Sequence, residues 1–332
     1  LKNAAARARK SEENFMGFET DAVTLLDTIG NTPLVPLAKL FSGQRSKVFA
    51  KLEFFNPTGS IKDRIVRHIV EDAERTGQLR PGGTIVENTS GNTGAAIAMI
   101  AALKGYRAVL TMPDKVSKEK QAALTALGAE IVVCPTAAVP GTADHYVQRA
   151  RDIAAATPNS FMINQYDNPK NAEAHYQTTG PEIWRQSGGK VDYFVASGST
   201  GGTVSGVGRY LKERNPDIKV LMPDPIGSIY YTYFKTGRIE ESEIGAYQVE
   251  GIGEDHIAKC MDFSVVDEML QFNDDDAFAM TRRLAASEGI LAGGSSGANL
   301  FGCMKLAERL EGEANIVTVL PDTGLKYLSK IF

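Results

Sequence analysis

The 332 residues include only three cysteines, Cys134, Cys260 and Cys303, and no C-x-x-C pair. That argues against a disulfide framework and a cysteine-built zinc site, and for a reducing, cytoplasmic setting. The four histidines, His68, His145, His175 and His256, lack ligand spacing such as H-x-x-x-H, so no metal is expected. Charge of one sign is not in excess: 36 basic against 40 acidic side chains leave a net charge of −4. Nothing in that balance suits nucleic acid or an anionic membrane as partner. Long apolar runs are missing too. The longest, Ala95–Leu103, falls far short of the ~20 residues of a membrane span. No secretory signal is visible, although the numbering opens on Leu1 rather than Met. The dinucleotide fingerprint G-x-G-x-x-G and the P-loop G-x-x-x-x-G-K-[ST] are both absent. A nicotinamide-dependent dehydrogenase is therefore set aside.

What is present in plenty is glycine, 32 residues of 332, against a background of about 7%. The glycines are clustered. The length corresponds to about two domains at roughly 150 residues each, enough to bury a core without staples. Residues 1–22 read as an N-terminal arm, basic at its start through Lys2, Arg7, Arg9 and Lys10. From Val23 onward short apolar strands alternate with helical patterns. Strands are expected at Val48–Leu52, Thr84–Val86, Arg107–Met112, Glu130–Cys134, Phe161–Asn164, Val191–Ala196, Lys219–Met222 and Ile316–Leu320. Helices are expected at Ala95–Leu103, Ser117–Leu127, Tyr146–Ala155, Val204–Arg214, Asp275–Glu288 and Ala298–Leu310. Such alternation makes an α/β protein with a mostly parallel sheet. Ligands of such sheets bind outside the carboxyl ends of the strands, so the loops after them matter most.

Four of those loops carry chemistry. Gly198-Ser199-Thr200-Gly201-Gly202-Thr203 follows a strand and opens a helix. Glycines admit a close ligand, and the helix start offers free N–H groups, so the loop suits a phosphate. It has no cation of its own, and the dipole contributes only ~0.3–2 kcal/mol. A tight cofactor therefore needs another anchor. Asn88-Thr89-Ser90-Gly91-Asn92-Thr93-Gly94, dense in hydroxyls and amides, suits a carboxylate. In Asn56-Pro57-Thr58-Gly59-Ser60-Ile61-Lys62-Asp63-Arg64, Ser60 can cap a helix whose first turn holds Lys62. The positive end of the dipole disfavours a charged amine there, which suits a nucleophilic lysine. An ordinary lysine would pair with Asp63 or Glu53. Gly293-Gly294-Ser295-Ser296-Gly297 is a turn and cap before the last long helix.

As a set, P-T-G-S-x-K-D-R, T-S-G-N-T-G, T-G-G-T and G-G-S-S-G resemble, in order and spacing, the fold-type II pyridoxal-phosphate enzymes, the tryptophan-synthase-β-like family. Gly30-Asn31-Thr32-Pro33-Leu34 is similar to a family motif near the start. The resemblance runs from about Thr24 to the end of the chain. Its flanks look most like the catalytic core of the cystathionine β-synthase branch, and less like cysteine synthases. The pointers are Glu53-Phe54-Phe55-Asn56, Asp72-Ala73-Glu74-Arg75, Gln165-Tyr166, Asp224-Pro225-Ile226-Gly227-Ser228-Ile229 and Val249-Glu250-Gly251-Ile252-Gly253.

The resemblance implies two open, twisted, mostly parallel sheets flanked by helices. A smaller domain, 47–165, would carry Lys62 and the T-S-G-N-T-G loop. A larger one, 23–46 with 166–332, would carry the phosphate loop and Ser295. Pyridoxal 5'-phosphate would be held on Lys62 as an internal aldimine. Asn92 would meet its ring hydroxyl, Ser199, Thr200, Gly201, Gly202 and Thr203 its phosphate, and Ser295 its pyridine nitrogen. Thr89, Ser90, Gly91, Thr93 and Gln165 would hold the substrate carboxylate, and Gly251 would line the second-substrate entrance. The implied activity is β-replacement on an L-serine-type amino acid through an aminoacrylate. Its substrates are small amino acids and thiols, its assembly a homodimer. Serine with homocysteine is the first expectation; O-acetylserine or O-phosphoserine with sulfide, or an amine nucleophile, are the alternatives. Ser199 departs from the family's glycine, and Glu254 from the tyrosine of animal and yeast members. No N-terminal Cys-Pro haem motif is present, so no haem is expected. With the sequence closing at Phe332, a response to S-adenosylmethionine through a further module is not expected.

Overall fold

A computed structural model of the chain describes residues 24–139 and 141–332. The expected arm over residues 1–22 lies outside the described residues. Ten strands are assigned: β1 (Leu34–Pro36), β2 (Lys47–Leu52), β3 (Thr84–Asn88), β4 (Arg107–Pro113), β5 (Glu130–Cys134), β6 (Ser160–Met162), β7 (Tyr193–Val195), β8 (Lys219–Pro225), β9 (Glu268–Phe272) and β10 (Asn315–Leu320). The helices are α1 (Lys62–Arg75), α2 (Asn92–Lys104), α3 (Lys118–Ala126), α4 (Tyr146–Ala156), α5 (Lys170–Gln177), α6 (Thr179–Gln186), α7 (Gly202–Arg214), α8 (Tyr230–Thr236), α9 (Asp274–Glu288), α10 (Gly294–Arg309) and α11 (Leu328–Ile331).

The strands form two sheets, ordered β1-β2-β10-β7-β8-β9 and β5-β4-β3-β6. Every pairing is parallel except β1 with β2. The expected architecture is thus observed. One detail differs from the sequence reading. Residues 47–52, grouped there with the smaller unit, pair with β10 through the register Val48–Ile316 and belong to the six-stranded sheet.

Burial on both faces explains the continuous apolar runs of the central strands. Phe194, Val220, Met222, Val317 and Val319 pack with Val204, Val207 and Leu211 of α7 on one face. Their neighbours Val195, Leu221, Ile316 and Leu320 pack with Leu300, Cys303 and Leu306 of α10 on the other. In the smaller sheet Ile85, Leu110 and Met112 bury Ile65, Ile69 and Val70 of α1 and Ile97 and Ile100 of α2. Burying one such Leu or Ile contributes ~1.5–3 kcal/mol.

Strand and helix ends differ from expectation at the loops of interest. Helix α10 begins at Gly294, not Ala298, so Ser295 stands in its first turn. Strand β6 stops at Met162 rather than Asn164, because Asn164 turns left-handed at φ 50°. That turn carries the chain off the sheet toward Gln165.

Candidate active site

The motif around Lys62 divides its charges. Asp63 turns back to Thr58, accepting from its backbone N–H at 2.8 Å and from its hydroxyl. Arg64 donates to Glu53 at 2.7 and 2.9 Å and to Glu182 at 2.7 and 2.8 Å. Lys51 meets the same Glu182 at 2.6 Å. The start of α1 is therefore bolted to β2 and α6, while Lys62 between them pairs with neither Asp63 nor Glu53. Among the described residues its amine has no hydrogen-bond or ion partner, and its side chain is half-buried. Burial pushes that amine below its ordinary range; Asp322 and Glu254 pull the other way. Ser60 is not the helix cap, which is Ile61, although its hydroxyl accepts the Lys62 N–H at 3.3 Å. The loop is held instead by the end of β10: Ile61 N–H reaches Pro321 O at 2.8 Å and Thr323 N–H reaches Gly59 O at 3.1 Å.

Asn92 is the first residue of α2. Its Nδ2 donates to Asp322 Oδ2 at 2.7 Å and its Oδ1 accepts from Lys326 at 2.5 Å. Tyr327 donates to the same Asp322 oxygen at 2.6 Å. Asp322 Oδ1 is buried with no hydrogen-bond partner. Its carboxyl is pushed upward by burial, against the hydrogen bonds from Tyr327 and Asn92. Asp322, Lys326 and Tyr327 were missed in the sequence, where no motif marks them. Of the expected carboxylate holders, Thr93 donates to Gln165 Oε1 at 2.7 Å, and both are buried. Thr89 and Ser90 are half-buried beside them and Gly91 is exposed.

The loop at 199–203 is shaped by close approach. Gly201 caps α7 at φ 79°, and a Cβ there would lie 2.5 Å from Met261 Cα. At Gly202 a Cβ would lie 2.0 Å from Asn171 Oδ1. Asn171 in turn donates to Thr200 Oγ1 at 3.0 Å and to Gln165 O at 2.7 Å, tying this loop to the Gln165 turn. Thr203 Oγ1 is 3.2 Å from His175 Nε2. Burial, helped by Arg64 and Lys62, pushes that histidine well below its ordinary range, so the ring is neutral. Asn171 and His175 gave no signal in the sequence. Ser199 needs no left-handed backbone, since its position is not among those with positive φ. Its carbonyl accepts from Tyr230 at 2.6 Å, which makes Tyr230 a buried brace. Ser295 is buried, and its neighbour Ser296 has a buried hydroxyl without a partner.

Between β3 and the 244–256 segment lies a cavity of about 610 Å³, lined by Glu87, Tyr146, Arg151, Tyr166, Tyr247, Glu254 and His256 among others. Buried Glu87 accepts from Asn164 N–H at 2.8 Å and Gln165 N–H at 3.4 Å, and burial lifts it to about 7. Gly251 is exposed at φ 80° and outside the lining, whereas Gly253 donates its N–H to Gly198 O at 2.7 Å. Glu254, Asp255 and His256 bring one ligand atom each within 4.8 Å of one another. Consecutive charged residues on a turn do this without a metal.

A strand-end cradle built on glycine, an unpaired amine and unpartnered buried oxygens together fit a phosphorylated aldehyde cofactor. The family model described as "Pyridoxal-phosphate dependent enzyme" matches residues 25–322. The chain belongs to that family, whose cofactor is pyridoxal phosphate. It is 44% identical over 308 residues to cystathionine β-synthase of Apis mellifera, covering 92% of this chain and 60% of that protein. The enzyme of the same name from Rattus norvegicus is 46% identical over 308 residues, covering 92% and 54%. The chain thus spans little more than half the length of these relatives. A probable cysteine synthase of Bacillus subtilis (strain 168) is 43% identical over 307 residues, covering 91% and 95%. The crystal structure of O-ureido-L-serine synthase superposes with a TM-score of 0.86 at 36% identity, covering 94% of this chain and 95% of that one.

Proposed function

We propose that the chain catalyses β-replacement on an L-serine-type amino acid, condensing L-serine with L-homocysteine to L-cystathionine and water. The observation that carries the reading is an amine, Lys62, left without a partner next to Asp63 and Arg64, whose charges are spent elsewhere. When bound, pyridoxal phosphate supplies an electron sink for charge developing at the substrate Cα. Lys62 Nζ would hold it covalently and, once released by the amino acid, take the Cα proton; an amine with a lowered pKa does both more readily. Residues 199–203 would take the phosphate with backbone N–H groups at the start of α7. Asn92, steadied by Asp322, would face the ring hydroxyl, and Ser295 the ring nitrogen. Thr89, Ser90, Gly91, Thr93 and Gln165 would bind the carboxylate, the Thr93–Gln165 hydrogen bond pre-ordering that grip. The proposal includes a homodimer in solution.

A second reading is cysteine synthase, supported by the nearly full-length match to the Bacillus subtilis protein. Product analysis separates the two. Purified holoenzyme is given L-serine with L-homocysteine, and O-acetylserine with sulfide. Cystathionine as the faster product is expected; cysteine formed only from O-acetylserine overturns the first reading. Lys62→Ala lowers either rate by several orders of magnitude.

A further inference from the structure

The two residues that depart from the family pattern, Ser199 and Glu254, touch each other. Ser199 Oγ donates to Glu254 Oε1 at 2.5 Å, and Tyr166 OH is 3.4 Å from the same Oγ. Both residues are held from behind. Tyr230 grips the Ser199 carbonyl, the Glu254 N–H reaches Ser228 Oγ at 3.1 Å, and the Glu254 carbonyl accepts Ile229 N–H at 2.9 Å. The Glu254 side chain is 13% exposed and lines the cavity. Its second oxygen, Oε2, is not met by Ser199. His256 Nδ1, on a half-exposed ring, stands 3.5 Å from it. A carboxylate so fixed on the cavity wall, without a permanent cation, is a receptor for an incoming one.

We infer that Glu254, oriented by Ser199, selects the acceptor by binding its ammonium group, so that the nucleophile is an amino-bearing molecule rather than sulfide. This rests on the β-replacement reading of the same site. Hydrosulfide is a small anion; it gains nothing from the carboxylate and is repelled by it. A zwitterionic aminothiol gains a charge-assisted hydrogen bond at Oε2. Arg151, the lysine or arginine of the cavity lining, supplies charge of the sign its carboxylate needs. Ser199 contributes by occupying Oε1, which fixes the direction of Oε2, with the Tyr166 hydroxyl also beside the carboxyl. Selection of this kind is a difference in affinity between acceptors, and it combines attraction for one with repulsion of the other.

The test compares acceptors on holoenzyme with saturating donor, run with both L-serine and O-acetylserine. L-Homocysteine, its deamino analogue 4-mercaptobutanoate, and sulfide are each titrated against wild type, Glu254→Gln and Ser199→Ala. Wild type is expected to favour homocysteine over the deamino analogue by about ten- to hundred-fold in kcat/KM, the worth of a charge-assisted bond. Glu254→Gln collapses that ratio towards one, through the acceptor KM rather than kcat, and raises the relative use of sulfide. Ser199→Ala moves the ratio the same way by less. Because the readout is a ratio within one protein, partial misfolding does not mimic it, and visible cofactor absorption checks loading. A ratio unchanged in Glu254→Gln overturns the inference while cystathionine formation stands. A wild type that prefers another amino-bearing nucleophile, with the preference lost in Glu254→Gln, overturns the cystathionine reading and leaves the inference standing. Sulfide preferred by wild type overturns both.

Discussion

Two glycine-rich loops open helices at the carboxyl ends of strands, and they are held in opposite ways. The loop before α7 is fixed above all by close backbone packing: added side-chain carbons at Gly201 and Gly202 would collide with Met261 and Asn171, and side-chain hydrogen bonds at Ser199, Thr200 and Thr203 add to that. The loop before α2 is fixed by its side chains. Asn92 is gripped by Asp322 and Lys326, Thr93 by Gln165, and a Cβ at Gly91 would meet nothing within 4 Å. On the proposed function, the difference follows from what each would hold. A cofactor phosphate is resident, and N–H groups set by close packing cost no reorganisation to hold it. A substrate carboxylate comes and goes, and hydroxyls and amides can exchange one partner for another at each visit.

The comparison breaks first at Gly201. Alanine there must adopt φ near 79° against the Met261 backbone, at a cost of about 1–3 kcal/mol before any repacking. Titrating the apoprotein of Gly201→Ala with pyridoxal phosphate should show affinity reduced tenfold or more. Unchanged affinity would mean that the cradle is not set by packing. Next comes Asp322→Ala, which leaves the Asn92 amide and the Tyr327 hydroxyl without an acceptor. Its expected cost is about 1–3 kcal/mol in urea unfolding. Cofactor affinity should fall less than in Gly201→Ala, because the phosphate loop is untouched.

The sequence made some of this legible and not the rest, for physical reasons. The loops at Lys62, Asn92 and Gly201 were visible because helix starts and tight backbone approaches demand particular residues at adjacent positions. Strand interiors were visible because burial on both faces leaves mostly apolar residues, as in Ile316–Leu320, where buried Thr318 alone is polar and donates to Val195 O. Asp322, Asn171 and His175 were not visible: each acts on a residue far away in the chain, and a single Asp, Asn or His reads the same in a core as at a site. The same distance hid the Ser199–Glu254 bond, whose ends were each noticed without their contact. Strand β9 and the Glu53–Arg64–Glu182 ion cluster went unread because their logic is tertiary.

A smaller effect sharpens the side-chain half of the comparison. Glu87 holds the Asn164–Gln165 turn that partners Thr93, and burial lifts its carboxyl to about 7. An acid raised in the folded state contributes stability below its unfolded pKa of ~4.3, and loses it as pH rises through about 7. Glu87→Gln removes that slope. Relative to wild type, the variant should therefore gain stability steadily between about pH 4.3 and 7 and level off above that, in urea unfolding at several pH values. A constant difference across that range would place the Glu87 carboxyl back in the ordinary range.

The smallest effect is expected at Gly91. It is exposed, it does not have a positive φ, and a Cβ there points into free space. Gly91→Ala should change unfolding free energy by no more than ~0.5 kcal/mol and leave pyridoxal phosphate affinity as it is. What it should change is the donor-side KM, raised several-fold with L-serine, because the added methyl stands where a carboxylate must approach the backbone. A loop fixed by packing would show the reverse order: stability and cofactor affinity lost first, substrate KM last. Measuring all three quantities in Gly91→Ala and Gly201→Ala together therefore tests whether the two loops divide their work as their construction implies.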